Sequence, residues 1–232
     1  MTVVRLRADG RFGYLDTMLN FAFQSSKPLN ILCLGAHCDD IEIGCGGTLL
    51  RLIEQKRVGR VDWIVFSSNP TRAKEAARGA EYFLEGVPER NVEMHAFADG
   101  FFPYMGAEVK AAFEGLKKHG APDLIFTHHK DDLHQDHRLL AQLTWNTFRN
   151  HAILEYEITK YDGNPFSPNT YVTLDEATCA RKVEGLMMAF ESQASKGWFT
   201  PDTFMATLRL RGVECASPTK FAEAFVCRKA VI

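Results

Sequence analysis

Short apolar runs alternate with amphipathic stretches along most of the chain. Leu29–Leu34 is apolar apart from Asn30 and predicts a buried strand. From Gly44 or Gly46 onward, Leu49, Leu50, Leu52 and Ile53 recur at helical spacing. Val61–Phe66 predicts a second strand, followed by a turn over 67–71 and a helix from Thr71 to about Leu84 carrying Ala73, Ala76, Ala77 and Ala80. Val92–Phe97 predicts a third strand, and Glu108–His119 a helix closed by Gly120 at the position after its end. Leu124–Thr127, Arg138–Phe148 and Ala152–Ile158 continue the series as strand, helix and strand. Beyond residue 160 the pattern weakens to a helix over Asp175–Phe190, a loop containing Ser195–Gly197 and a last apolar run, Phe221–Cys227.

Strands alternating with helices over short connections predict a mostly parallel sheet with helices on both faces. The fold expected is therefore α/β: a single Rossmann-like domain over 1–232 with strand order 3-2-1-4-5. Residues 1–27 form an N-terminal helical extension in this reading, and about 160–232 cover the pocket. No repeat, low-complexity tract or linker divides the 232 residues. Open parallel sheets bind ligands beyond the carboxyl ends of their strands, where the strand order reverses. In the expected order, that crevice lies between the loops after strands one and four.

Composition removes several function classes. The net charge of −2 offers no basic excess for nucleic acid. No window approaches the ~20 apolar residues of a membrane span. Arg5 and Arg7 precede Phe12–Phe23 in the manner of a signal peptide, but Asp16 and Asn20 interrupt that stretch, which reads as an amphipathic helix. The six cysteines form no C-x-x-C pair and read as reduced thiols, giving a cytoplasmic protein as the expectation. A homo-oligomer is compatible with all of this.

Candidate chemistry gathers in the two loops already singled out. His37-Cys38-Asp39-Asp40 follows the first strand, and His128-His129-Lys130-Asp131-Asp132-Leu133-His134-Gln135-Asp136-His137 follows the fourth. Five of the eight histidines fall there. Imidazoles beside carboxylates at two neighbouring strand ends suit a catalytic Zn²⁺, which takes three such ligands and keeps a position for water. The same residues also read as solvated histidines and helix caps, with Asp136 capping the helix that starts near His137.

The run His37-Cys38-Asp39-Asp40-Ile41-Glu42-Ile43-Gly44-Cys45-Gly46-Gly47-Thr48 resembles the signature of the PIG-L/LmbE-like family of zinc-dependent N-acetylglucosaminyl deacetylases. Asp132-Leu133-His134-Gln135-Asp136-His137 resembles its second motif, and the likeness extends over roughly residues 29–226. The resemblance implies a metal held by His37, Asp40 and His137, with Zn²⁺ expected and Fe²⁺ or another divalent ion an alternative. It implies Asp39 as general base, and His134 as the group that stabilises the oxyanion or protonates the leaving amine. It also implies Asp136 as the carboxylate that orients and charges a neighbouring histidine, and Arg72 and Asp99 as substrate contacts. The activity implied is removal of acetyl from a small-molecule N-acetylated sugar conjugate.

One departure stands out: Cys38 occupies the place of the family's usual proline, removing a φ restraint and adding a thiol. It reads either as a packed neutral cysteine or as a soft ligand or oxidation-sensitive group. Gly44–Gly47 lacks dinucleotide-loop spacing and is expected to let the helix start approach the metal loop. His128 and His129 are placed to line the pocket, whereas His95, His119 and His151 lack a carboxylate cluster. Two rivals to the deacetylase remain: an amidase on another amide conjugate with the same site, and a non-catalytic Rossmann-like binding protein.

Overall fold

Four connected strands build the centre of the molecule: β1 (Leu29–Gly35), β2 (Val58–Val65), β3 (Glu89–Met94) and β4 (Leu124–His128). β5 (Ala152–Tyr156) completes the parallel set, with β1 paired to both β2 and β4, and Ile31 opposite Val61 on one side and Leu124 on the other. The computed structural model describes residues 27–163 and 166–230; the helix expected over 12–23 lies outside them. Apolar clusters fill both faces of the sheet, one around Trp63, Phe83 and Phe126 and the other around Phe66, Phe102 and Phe113. All six cysteines are unpaired.

The order is β3-β2-β1-β4-β5-β7-β6, so the expected five-strand order is present but two further strands extend it. β7 (Phe221–Val226) runs antiparallel to β5, and β6 (Thr170–Leu174) antiparallel to β7. β6 escaped the sequence reading because four of its five residues are only half-buried. Five helices flank the sheet: α1 (Asp40–Glu54), α2 (Pro70–Phe83), α3 (Gly106–Leu116), α4 (Gln135–Thr147) and α5 (Glu176–Ala189). A sixth, α6 (Pro201–Glu214), was also missed, since its apolar residues do not share one face: Phe204 and Leu208 are buried while Leu210 and Val213 are exposed. The third strand lies at 89–94 rather than 92–97.

α1 starts at Asp40, four residues before the expected start, with Asp40 and Glu42 in a first turn where the helix dipole favours acids. It is buried from Asp40 to Leu50 and touches α2, α5, β6 and β7. Its glycines serve this packing rather than an approach to the candidate metal loop. A Cβ at Gly44 would lie 2.3 Å from the Tyr156 ring, and one at Gly47 would lie 2.6 Å from Leu174.

A buried ion pair is set against the middle of α1. Glu223 on β7 accepts from the Gly47 and Thr48 amides at 2.8 and 2.6 Å and from Lys182 of α5 at 2.6 Å. Lys182 also donates to the Ile43 carbonyl at 2.6 Å. Removing one partner of a buried pair strands the other charge, at a cost of about 3–5 kcal/mol. Lys182→Met should therefore lower the urea midpoint by that equivalent, and an unchanged midpoint would show that Glu223 is held by the helix amides alone.

Candidate functional site

Because β1 and β4 are paired, the loops leaving their carboxyl ends meet, as do the starts of α1 and α4. Asp40 is the first residue of α1, and His137 stands in the first turn of α4. His37 bridges the two. Its Nδ1 lies 3.1 Å from His137 Nε2 and 3.4 Å from Asp40 Oδ2, while His137 Nε2 lies 3.7 Å from Asp40 Oδ1. The structure thus brings together the three residues expected as ligands.

Their outer edges determine what they present to one another. His137 Nδ1 faces Asp132 Oδ2 at 3.0 Å, and a carboxylate can only accept, so the proton sits on Nδ1 and the lone pair on Nε2. His37 Nε2 lies 3.0 Å from Asp99 Oδ1 and 3.4 Å from Asp136 Oδ2, which leaves Nδ1 as the edge of the ring turned inward. Two ring nitrogens and a carboxylate therefore converge, and the carboxylate also accepts the His37 amide at 2.6 Å. The N, O, N chemistry of that set suits a divalent metal.

Electrostatics follow the same geometry. Burial lowers the His37 ring's affinity for a proton, but Asp136, Asp40 and Asp99 outweigh it and hold its pKa well above normal. Burial would raise Asp40, yet His137, His128 and His37 hold its carboxyl well below the usual range. Burial, aided by His128, pushes His137 down to about 3. His134 is also lowered, by burial and then by His37.

His134 caps α4 by accepting the Asp136 amide on Nδ1 at 3.2 Å. A neutral ring that accepts on Nδ1 carries its proton on Nε2. His134, expected to stabilise the oxyanion or protonate the leaving amine, thus offers an Nε2–H donor as a neutral ring. One of its ring nitrogens lies within 4.8 Å of ligand atoms of His37 and His137. Asp136, expected to orient a neighbouring histidine, stands in the first turn of α4. Its carboxylate faces His37 and accepts from the Gly100 and Phe102 amides at 2.6 and 3.1 Å, clamping the loop after β3.

Asp39 is buried beside the ligands, its pKa raised by that burial against the pull of Arg72. Arg72 Nη2 lies 3.0 Å from Asp39 Oδ1, while Nη1 donates to Glu75 at 2.6 Å and the guanidinium stands over Phe190. Arg72 is therefore engaged with two carboxylates at the site edge, and Asp99 stands largely exposed at its rim.

Asp132 and Lys160 make contacts at the site that the sequence reading did not assign, and His128, expected only to line the pocket, reaches Asp40. Asp132 sits within the quoted motif, and the rule that a ligand histidine needs a partner on its far nitrogen could have flagged it. His128, at the end of β4, lies 3.1 Å from Asp40 Oδ2 and accepts the Ala36 amide at 2.9 Å. Lys160 reaches Asp132 from the loop after β5, and nothing local announces it. His129 turns away to Glu155. Cys38 is buried, its Sγ donating to the Ser67 carbonyl at 3.3 Å, and burial pushes its thiol up to about 12, which supports the packed reading.

Comparison with known proteins places this geometry. A family model described as GlcNAc-PI de-N-acetylase (PIG-L) matches residues 32–148. A relative from Escherichia coli K12, named uncharacterized deacetylase YaiS, is 30% identical over 185 residues, covering 74% of this chain and 97% of its own. Among solved structures, the conserved protein TT1542 from Thermus thermophilus superposes with TM-score 0.71 at 22% identity, covering 88% of this chain and 96% of its own. The N,N'-diacetylchitobiose deacetylase from Pyrococcus horikoshii gives TM-score 0.63 at 19% identity, with 84% and 82% covered. At those identities the two structures establish the shared fold.

The clamp makes a prediction independent of activity. Asp136→Ala leaves the Gly100 and Phe102 amides without their acceptor, a loss of about 1–3 kcal/mol. Hydrogen exchange at these two amides should accelerate well beyond that of the β4 amides, and equal protection in the variant would assign the loop another anchor.

Proposed function

The chain belongs to the GlcNAc-PI de-N-acetylase (PIG-L) family, and from that membership we propose that it is a metal-dependent hydrolase removing acetyl from an N-acetylated amino-sugar conjugate. The observation that carries the reading is the convergence of His37 Nδ1, His137 Nε2 and the Asp40 carboxylate, at 3.1, 3.4 and 3.7 Å from one another. His37, Asp40 and His137 would hold a divalent ion, zinc or ferrous iron. Bound there, it would polarise the amide carbonyl and lower the pKa of a water molecule toward about 7.

The remaining work falls to side chains. Asp39 accepts the proton of the attacking water, and Arg72 holds the carboxylate in place for it. As the carbonyl carbon becomes tetrahedral, charge builds on its oxygen, and the His134 Nε2–H is the donor best placed to stabilise it. The amine must leave protonated, because an amide anion is a very poor leaving group. Asp39 returns the proton it took, so the acetyl C–N bond breaks to give free acetate and the free amine. Asp99, exposed beside His37, is positioned to accept from a sugar hydroxyl. Among the described residues no helix is long and apolar enough to cross a membrane.

Metal content and acetate release test the reading together. The wild type is expected to retain about one zinc or iron per chain after gel filtration, and Asp40→Ala to lose it. Asp39→Asn should keep its metal while kcat for acetate release from amino-sugar conjugates falls by about 10²–10⁴. Absence of bound metal after reconstitution with Zn²⁺ would sink the mechanism and favour a binding protein. Metal without acetate release across the sugar panel would favour an amidase on other conjugates.

A further inference from the structure

Behind His137 lies a contact that the mechanism does not use. Asp132 is fully buried, and each of its oxygens is engaged. Oδ1 accepts the His134 amide at 2.7 Å. Oδ2 accepts from His137 Nδ1 at 3.0 Å and from Lys160 Nζ at 2.8 Å. Lys160 comes from a different element, the loop after β5, and its side chain is only 13% exposed. Its ammonium is steered further by the Ile158 carbonyl at 3.4 Å and by Asp162 at 3.9 Å.

A carboxylate without access to water is costly unless it is paired with a cation and hydrogen-bonded. Among the described residues, Lys160 is the ammonium or guanidinium group whose side chain reaches Asp132 Oδ2; Arg138 meets only the residue's carbonyl. Without Lys160, two N–H donors would face a buried anion that is free to turn or to draw in water. With it, the carboxylate plane is fixed by three donors from three directions. The His137 ring, whose only polar contact on that edge is Asp132 Oδ2, is fixed in turn.

We propose that Lys160 is a positioning residue, which through Asp132 holds the His137 ring with its Nδ1 protonated and its Nε2 lone pair turned toward His37 and Asp40. The metal half of the consequence rests on the reading of His137 as a ligand; the ring-orientation half does not.

Full-length Lys160→Met and Lys160→Arg are the variants to compare. Competition of the metal-free protein with a chromophoric chelator for Zn²⁺ should show affinity weakened about 10–100-fold in the Met variant. Most of the loss should be recovered in the Arg variant. In an Asp132→Asn background, Lys160→Met should add little further loss, because its route to the ring is already broken. A lower melting temperature with unchanged Zn²⁺ affinity would assign Lys160 to stability alone and overturn the proposal. If the Met variant is recovered unfolded, Lys160→Gln, which keeps a donor without the charge, is expected to show the same loss. Nitrogen-15 NMR of the histidine rings in metal-free protein gives a second reading. His137 should be an Nδ1–H tautomer in the wild type and a mixture in Lys160→Met. Should the wild type bind no Zn²⁺, the metal reading fails, and this comparison still decides the role of Lys160: an unaltered ring overturns it.

Discussion

The carboxyl edge of the sheet is arranged around the convergence of His37 Nδ1, His137 Nε2 and the Asp40 carboxylate. Both helices that begin there, α1 and α4, point their positive ends at the site. Two positive helix ends are poor company for a cation, and the chain offsets them with Asp39, Asp40, Asp132 and Asp136. The order of cause runs from topology to charge. The β1–β4 pairing brings two helix starts together, those starts favour acidic residues, and the acids make the junction hospitable to a metal ion.

Keeping that junction rigid falls largely to α1, which is poorly suited to stand alone. Gly44, Gly46 and Gly47 lower its intrinsic helicity by about 1 kcal/mol each relative to alanine, so its order comes from packing. The glycines also admit what holds the helix. Tyr156 lies where a Cβ at Gly44 would be, donates to the Leu34 carbonyl at 2.6 Å and stands 3.3 Å from His128 Nε2. The residue that demands a glycine in α1 therefore also braces the end of β1 and the imidazole beside Asp40. Glu223 and Lys182 do the corresponding work one turn further along.

Sequence carried the parts of this design that are local. The central strands are short apolar runs, and the five-strand order follows from their alternation with helices. The two polar loops are conspicuous because histidines crowd at strand ends. What it did not carry are relations made by tertiary contact. The start of α1 was read at Gly44 or Gly46 because the carboxylates of its first turn, Asp40 and Glu42, look like loop residues. β6 and α6 lack a clean apolar face, so periodicity had nothing to detect. Which carboxylate faces which imidazole was not assigned: Asp136 meets His37 across the crevice, and Asp132 meets His137 with a lysine 28 residues away.

The cysteine at position 38 shows how such a loop tolerates the loss of a proline. A proline ring would fix φ at that position without any contact. Here the Asp40 carboxylate accepts the His37 amide at 2.6 Å, and the Cys38 thiol donates to the Ser67 carbonyl beyond β2. These bonds fasten the loop from both sides and point the sulfur into the core, away from the acceptor cluster. The thiol is held in its protonated form by the same burial, so it has neither the charge nor the direction to compete as a ligand. Rigidity that the family places in a covalent ring is supplied in this chain by hydrogen bonds, and those bonds are only as firm as the contacts between β1, β2 and α1 that bury them.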